Sequence, residues 1–299
     1  MSTFLDRIKT HEILVADGAT GTNLQKVGLT SGMHPEDWVL DQPDKILDLE
    51  EAFVKAGSNI ILTCTFGGTR VRLKGAVHEN EAAKINRTAA GLAKQAAARG
   101  EDVLVAGSMG PLGQLLKPLG PLAPDEARAA YEEQAEALAE AGVDLLVIET
   151  QYSLEEADIA LAAARAKADL PIVVSFSFDR GTRTMMGVRP ADVVARYRAA
   201  GVTMIGANCG TTLENIEKIL EAYAGEAPDF PYWIKPNAGM PRLVDGRTIY
   251  DVTPAEMGEF AGAAVRQGAR VIGGCCGSTP EHVAAIAKAA KNKVERTGV

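Results

Sequence analysis

Two kinds of hydrophobic pattern alternate along this chain. Short, nearly unbroken apolar runs recur: "EILVAD" (12–17), "NIILTCTF" (59–66), "DVLVAGS" (102–108), "DLLVIET" (144–150), "PIVVSFSF" (171–178), "TMIGANC" (203–209), "YWIKPN" (232–237) and "ARVIGGCC" (269–276). Their length and β-branched content predict strands buried on both faces. The segments between them, such as "EAAKINRTAAGLAKQAAARG", "PDEARAAYEEQAEALAEAG" and "LEEADIALAAARAKAD", carry Ala-rich helical periodicity and close on Gly or on Asp-Leu-Pro. Eight strand–loop–helix units in 299 residues, with no linker or low-complexity break, predict a single-domain α/β (β/α)₈ barrel over residues 1–299. A doubly wound open sheet is the alternative, but the turn after its first strand would carry G-x-G-x-x-G, and here it reads "DGATGTNL".

Composition narrows the ligand. A net charge of −8 gives no basic footprint for nucleic acid. Charges interrupt the apolar stretches of the opening "MSTFLDRIKTHEILV", and no later segment is long and apolar enough to span a bilayer. We therefore expect a cytoplasmic protein that acts on small molecules. In a reducing compartment, its four cysteines point to metal binding, catalysis or packing rather than to disulfides.

A barrel of this kind builds its active site from the loops at the C-terminal ends of its strands. Those ends offer Asp17, Thr63-Cys64-Thr65, Ser108, Glu149, Ser175 to Asp179, Asn208-Cys209, Pro236-Asn237 and Cys275-Cys276. Cys209 ends the sixth predicted strand and Cys275-Cys276 the eighth, and alternate strands supply the same interior layer, so the three sulfurs can meet. Neighbouring side chains on a regular strand point to opposite faces, so two adjacent ligands require a turn, and Gly273, Gly274 and Gly277 allow one. Three thiolates need a cation between them. Zn²⁺ suits three sulfurs, and three protein ligands with a fourth position open is the arrangement of a catalytic zinc. Cys64, from the other layer, is read as packing.

An open thiolate zinc deprotonates and presents a substrate thiol, which suits alkyl transfer to sulfur. Asp17 and Glu149 add acceptors for a substrate ammonium, and the amides of Gly18 to Gly21 could cradle a carboxylate. Asn237 is read as shaping its own loop.

The ordered set "DGATGTNLQ", "TCTFGG", "GSMGPLG", "VIET", "ANCG", "PNAGMP" and "GGCCGSTPEH" resembles the homocysteine S-methyltransferase family over roughly residues 10–290, and most closely the homocysteine-binding module of cobalamin-dependent methionine synthases. The resemblance implies a (β/α)₈ barrel that moves a methyl group onto homocysteine to give methionine. It puts the zinc ligands on Cys209, Cys275 and Cys276 and the homocysteine ammonium contacts on Asp17 and Glu149; Gly18, in the backbone nest, and Ser108, at its strand end, are expected as further substrate-binding residues. With no folate-binding or corrinoid-binding domain expected in the chain, the methyl donor is expected to be a separate methyl-corrinoid protein. A small donor such as S-methylmethionine, S-adenosylmethionine or betaine is the alternative. Two other readings stand beside this one: a non-catalytic zinc or thiol-binding module, and an unrelated barrel enzyme such as a Schiff-base aldolase, for which Lys235 is the strand-end candidate.

Overall fold

The computed structural model describes residues 2–30, 32–244 and 247–294. Among the described residues ten strands form: β1 (Leu14–Val15), β2 (Ile60–Leu62), β3 (Leu104–Met109), β4 (Leu145–Gln151), β5 (Ile172–Phe176), β6 (Met204–Asn208), β7 (Tyr232–Lys235), β8 (Arg242–Val244), β9 (Arg247–Ile249) and β10 (Ala269–Ile272). The helices are α1 (Phe4–Lys9), α2 (Gly21–Lys26), α3 (Trp38–Asp41), α4 (Pro43–Lys55), α5 (Ala82–Ala97), α6 (Pro124–Glu140), α7 (Leu154–Lys167), α8 (Pro190–Ala199), α9 (Leu213–Glu226), α10 (Pro254–Arg266) and α11 (Pro280–Val294).

Eight strands pair in the order β1-β10-β7-β6-β5-β4-β3-β2, all in parallel register. A parallel bridge between Ala16 and Ile60 brings β1 to β2 and closes the ring into the expected (β/α)₈ barrel. On that seam a side chain completes the ladder: the Leu62 amide donates to Asp17 Oδ2 at 2.7 Å, beside the Asp17 amide bonded to the Ile60 carbonyl.

The period of two sorts the strand residues. Leu14, Ile60, Leu104, Ala106, Leu145, Val147, Val173, Met204, Trp233 and Val271 pack together with Phe4 and fill the barrel. Phe4, on the short helix α1, is 1% exposed and seals the N-terminal end. Continuing the same alternation upward puts Ser108, Glu149, Ser175, Asn208 and Lys235 on the inner face, as a buried polar layer at the C-terminal end. Outward-facing residues such as Val105, Leu146, Val174 and Ile205 pack on the surrounding helices.

Apart from β4, which is as long as its run, the barrel strands are shorter than the apolar runs. β1 and β2 stop before Asp17 and Thr63, where polar side chains take over from the ladder. An antiparallel hairpin, β8 with β9, interrupts the loop between β7 and α10. The sequence reading did not include it, although the Asp-Gly pair between its strands is a strong hairpin signal. Among the described residues no helix is long and apolar enough to cross a membrane.

Candidate metal centre and active site

The polar layer forms the floor of a cavity of about 890 Å³ at the C-terminal end of the barrel. Asp17, Gly18, Ser108, Glu149, Lys235, Cys209, Cys275 and Cys276 all line it. The sequence-predicted site residues therefore meet in one place.

Two backbone devices bring the sulfurs together. Asn208 faces inward, so a regular continuation of β6 would turn Cys209 outward. Instead Cys209 has φ 60°, in the left-handed region, which re-aims its side chain. Asn208 is pinned beneath it: its Oδ1 accepts from the Thr150 amide at 3.0 Å and from Ser175 Oγ at 2.6 Å. The vicinal pair lies in a β-turn, with the Ser278 amide bonded to the Cys275 carbonyl at 3.1 Å. Its third residue, Gly277, has φ 81°, and a Cβ there would fall 2.2 Å from the Tyr250 ring. The Cys275 amide also donates to the Pro236 carbonyl at 2.7 Å, tying the turn to the end of β7.

The Sγ atoms of Cys209, Cys275 and Cys276 all lie within 4.8 Å of one another, and those of Cys209 and Cys276 are 3.7 Å apart. Thiolates held tetrahedrally at a zinc–sulfur distance of ~2.3 Å stand about 3.8 Å apart, so spacing and donor type both fit that ion. The thiols resist joint ionisation without a cation. Hydrogen bonding from Cys275 pulls Cys209 down, but hydrogen bonding to Cys276 and burial outweigh it and push Cys209 up to about 12. Cys276 is likewise pushed up to about 12, the lowering effect of Cys209 being overcome by Cys275 and burial. Cys64 stands apart from this group, buried among Leu24, Trp38 and Ile85. Tyr250, just after the hairpin, lines the cavity beside the cysteines, a placement the sequence reading missed.

Around the carboxylates, charge is closely paired. Asp17 is 2% exposed; Oδ1 takes a hydrogen bond from Lys235 Nζ and Oδ2 takes the Leu62 amide. Glu149 is 7% exposed, and its Oε1 accepts from Ser108 Oγ at 2.5 Å. Burial raises both carboxyls above their ordinary values, against the opposing pull of Lys235. Burial alone would lower the Lys235 ammonium, but Asp17 and Glu149 beside it raise it overall. A lysine held protonated in this way is no nucleophile, so the geometry does not favour a Schiff-base aldolase. Asn237 is buried with its Oδ1 unpartnered. The cavity lining includes two exposed apolar side chains, Met33 and Phe66.

Comparison with known proteins places the chain in a family. The sequence profile described as homocysteine S-methyltransferase matches residues 14–290. The chain is 29% identical over 293 residues to methionine synthase of Mycobacterium leprae, covering 93% of this chain but 24% of that protein. It thus spans about a quarter of the length of that relative. It is also 29% identical over 303 residues to the S-methylmethionine–homocysteine S-methyltransferase BHMT2 of Pongo abelii, covering 95% of this chain and 80% of that one. In fold it matches the metallated form of the homocysteine methyltransferase MmuM from Escherichia coli, with a TM-score of 0.79 at 24% identity, over 94% of this chain and 97% of that one. With the profile spanning the barrel from β1 to α11, the chain belongs to the homocysteine S-methyltransferase family of methyltransferases.

Proposed function

We propose that this protein transfers a methyl group to the thiol of homocysteine, forming methionine, with a zinc ion held by Cys209, Cys275 and Cys276. The observation that carries the reading is the cluster of three sulfurs, two of them 3.7 Å apart, opening onto a cavity whose inner wall holds a buried acid pair. Zinc bound to these sulfurs supplies the positive charge that keeps a substrate thiol ionised at neutral pH.

The chain's own residues do the rest. Ser108 fixes one oxygen of Glu149, which leaves the other to receive the substrate ammonium. Asp17 adds a second negative charge behind it, and the backbone from Gly18 onward closes the wall. The cavity wall keeps bulk water from the sulfur once substrate is seated, and the open mouth admits the donor.

The donor in this reading is a methyl-corrinoid carried by a separate protein. Likeness to methionine synthases supports it, as do the exposed apolar side chains of Met33 and Phe66 on the cavity lining, which suit a flat macrocycle better than a small cation. Equal identity to an S-methylmethionine-dependent relative makes a small sulfonium donor the second reading.

The test has two arms. Metal analysis should find about one zinc per wild-type chain and a large loss in Cys275→Ser; equal metal in the two would remove the cysteines from the site. Purified zinc-loaded protein is then given homocysteine with methylcobalamin, S-methylmethionine, S-adenosylmethionine or betaine in parallel, and methionine is measured. Turnover with methylcobalamin is expected, and turnover with only an onium compound would reassign the donor.

A further inference from the structure

We infer that Arg72, with Lys74 beside it, forms an oxyanion subsite on the exposed wall of the cavity, where the methyl donor is held by a carboxylate or phosphodiester of its own. The inference rests on the proposed function and names the residue that selects among donors.

The segment between β2 and α5 alternates: Val71 and Leu73 are buried, while Arg70, Arg72 and Lys74 are exposed. Arg70 is spent on an ion pair, its Nε 2.8 Å from Glu133 Oε2. Arg72 and Lys74 instead line the cavity. Among the described residues neither side chain has a hydrogen bond or an ion pair; Arg72 bonds only through its backbone amide, to Thr69 Oγ1. Two glycines from different loops clear the path of the Arg72 side chain. A Cβ on Gly67 would fall 3.1 Å from its Cγ, and one on Gly113, at φ 73°, would overlap its Nη1. The stem thus lies over the loop after β2 and the guanidinium against the loop after β3, a pose that depends on both positions lacking a side chain.

The guanidinium is always charged and presents its donors as a planar fork, which fits two oxygens of one carboxylate or phosphodiester. No carboxylate of the protein takes that place. Glu36, on the same lining, is buried and accepts the Gly67 amide at Oε1, 2.5 Å away. Asp17 is held by Lys235, and Glu149 is bonded to Ser108. Arg72 also stands close to the sulfur centre. Tyr152, whose hydroxyl is pushed up chiefly by burial, feels the charges of both Cys209 and Arg72. A donor in this cavity can therefore rest its anion on Arg72 while it offers its methyl group to the bound thiol. A cationic donor with no oxyanion meets only repulsion from this wall.

Calorimetry on zinc-loaded protein with two matched pairs of donors tests this. Methylcobalamin is paired with methylcobinamide, which lacks the phosphodiester, and S-methylmethionine with (3-aminopropyl)dimethylsulfonium, which lacks the carboxylate. Arg72→Gln should weaken the anion-bearing member of one pair about tenfold or more, the scale of a lost hydrogen bond to a charged group, and leave its anion-free partner unchanged. The pair that responds names the source of the oxyanion. Arg72→Lys, which keeps the charge without the fork, should lose less, and homocysteine should bind all three proteins equally. If Arg72→Gln alters both members of each pair alike, or if wild type binds none of the four, Arg72 holds no donor anion. Methionine formation is assayed separately. Its absence with every donor removes the parent reading, whereas turnover with donor preferences untouched by Arg72→Gln removes only this one.

Discussion

Glu149 shows how one side chain acquires its role from alternation alone. Leu145, Val147 and Glu149 share the inner face of β4, and the first two are barrel filling while the third reaches the cavity. Replacing it by Gln keeps the shape and the bond to Ser108 but removes the charge opposite a substrate ammonium. We expect Glu149→Gln to weaken homocysteine binding by roughly 1.5–3 kcal/mol with zinc content unchanged, measured by calorimetry on metal-loaded protein. Unchanged affinity would make Glu149 a structural residue. That much is legible in the sequence, as are the three cysteines. The Lys235–Asp17 pair is not: 218 positions separate the two residues, and only closure of the ring brings them together. Nor does residue order reveal the left-handed turn at Cys209, because nothing in "ANCG" distinguishes it from a strand that simply runs on.

At the level of elements, α4 carries an unusual charge. Ile46, Glu50, Phe53 and Val54 form its buried stripe, so helical spacing puts a carboxyl in the middle of an apolar face. Glu50 is 5% exposed and neither of its oxygens has a partner. Burial, and then the nearby Asp17, push its carboxyl well above the ordinary value. The protonated form is thus the one the fold prefers. For a carboxyl raised in the folded state, the contribution to stability is intact below its ordinary value near 4.5 and is lost as pH rises beyond it. Glu50→Gln should remove this dependence: melting temperature should fall less between pH 5 and pH 8 in the variant than in wild type. Identical slopes would mean that Glu50 finds a partner in solution. The strand–helix order of the barrel was legible because each element shows its own period, whereas the β8–β9 hairpin is short and exposed and leaves little apolar pattern.

For the whole molecule, the barrel has seven strand pairings made by ladders and one, between β1 and β2, assigned as a single bridge. There the Asp17 carboxylate replaces a main-chain carbonyl in bonding Leu62, while its other oxygen holds Lys235. The group that tunes the ligand pocket is therefore also a latch on the ring. Transient opening of the cylinder should begin at this latch, which makes amide exchange a reporter of site chemistry. In Asp17→Ala, deuterium uptake at the Leu62 amide should quicken about tenfold relative to amides within β4, the equivalent of one lost hydrogen bond. Uptake at wild-type rates would mean that main-chain bonds alone keep the ring shut. A ligand that tightens the Asp17–Lys235 contact should also slow the breathing of the cylinder, so that substrate occupancy can be followed at the Leu62 amide.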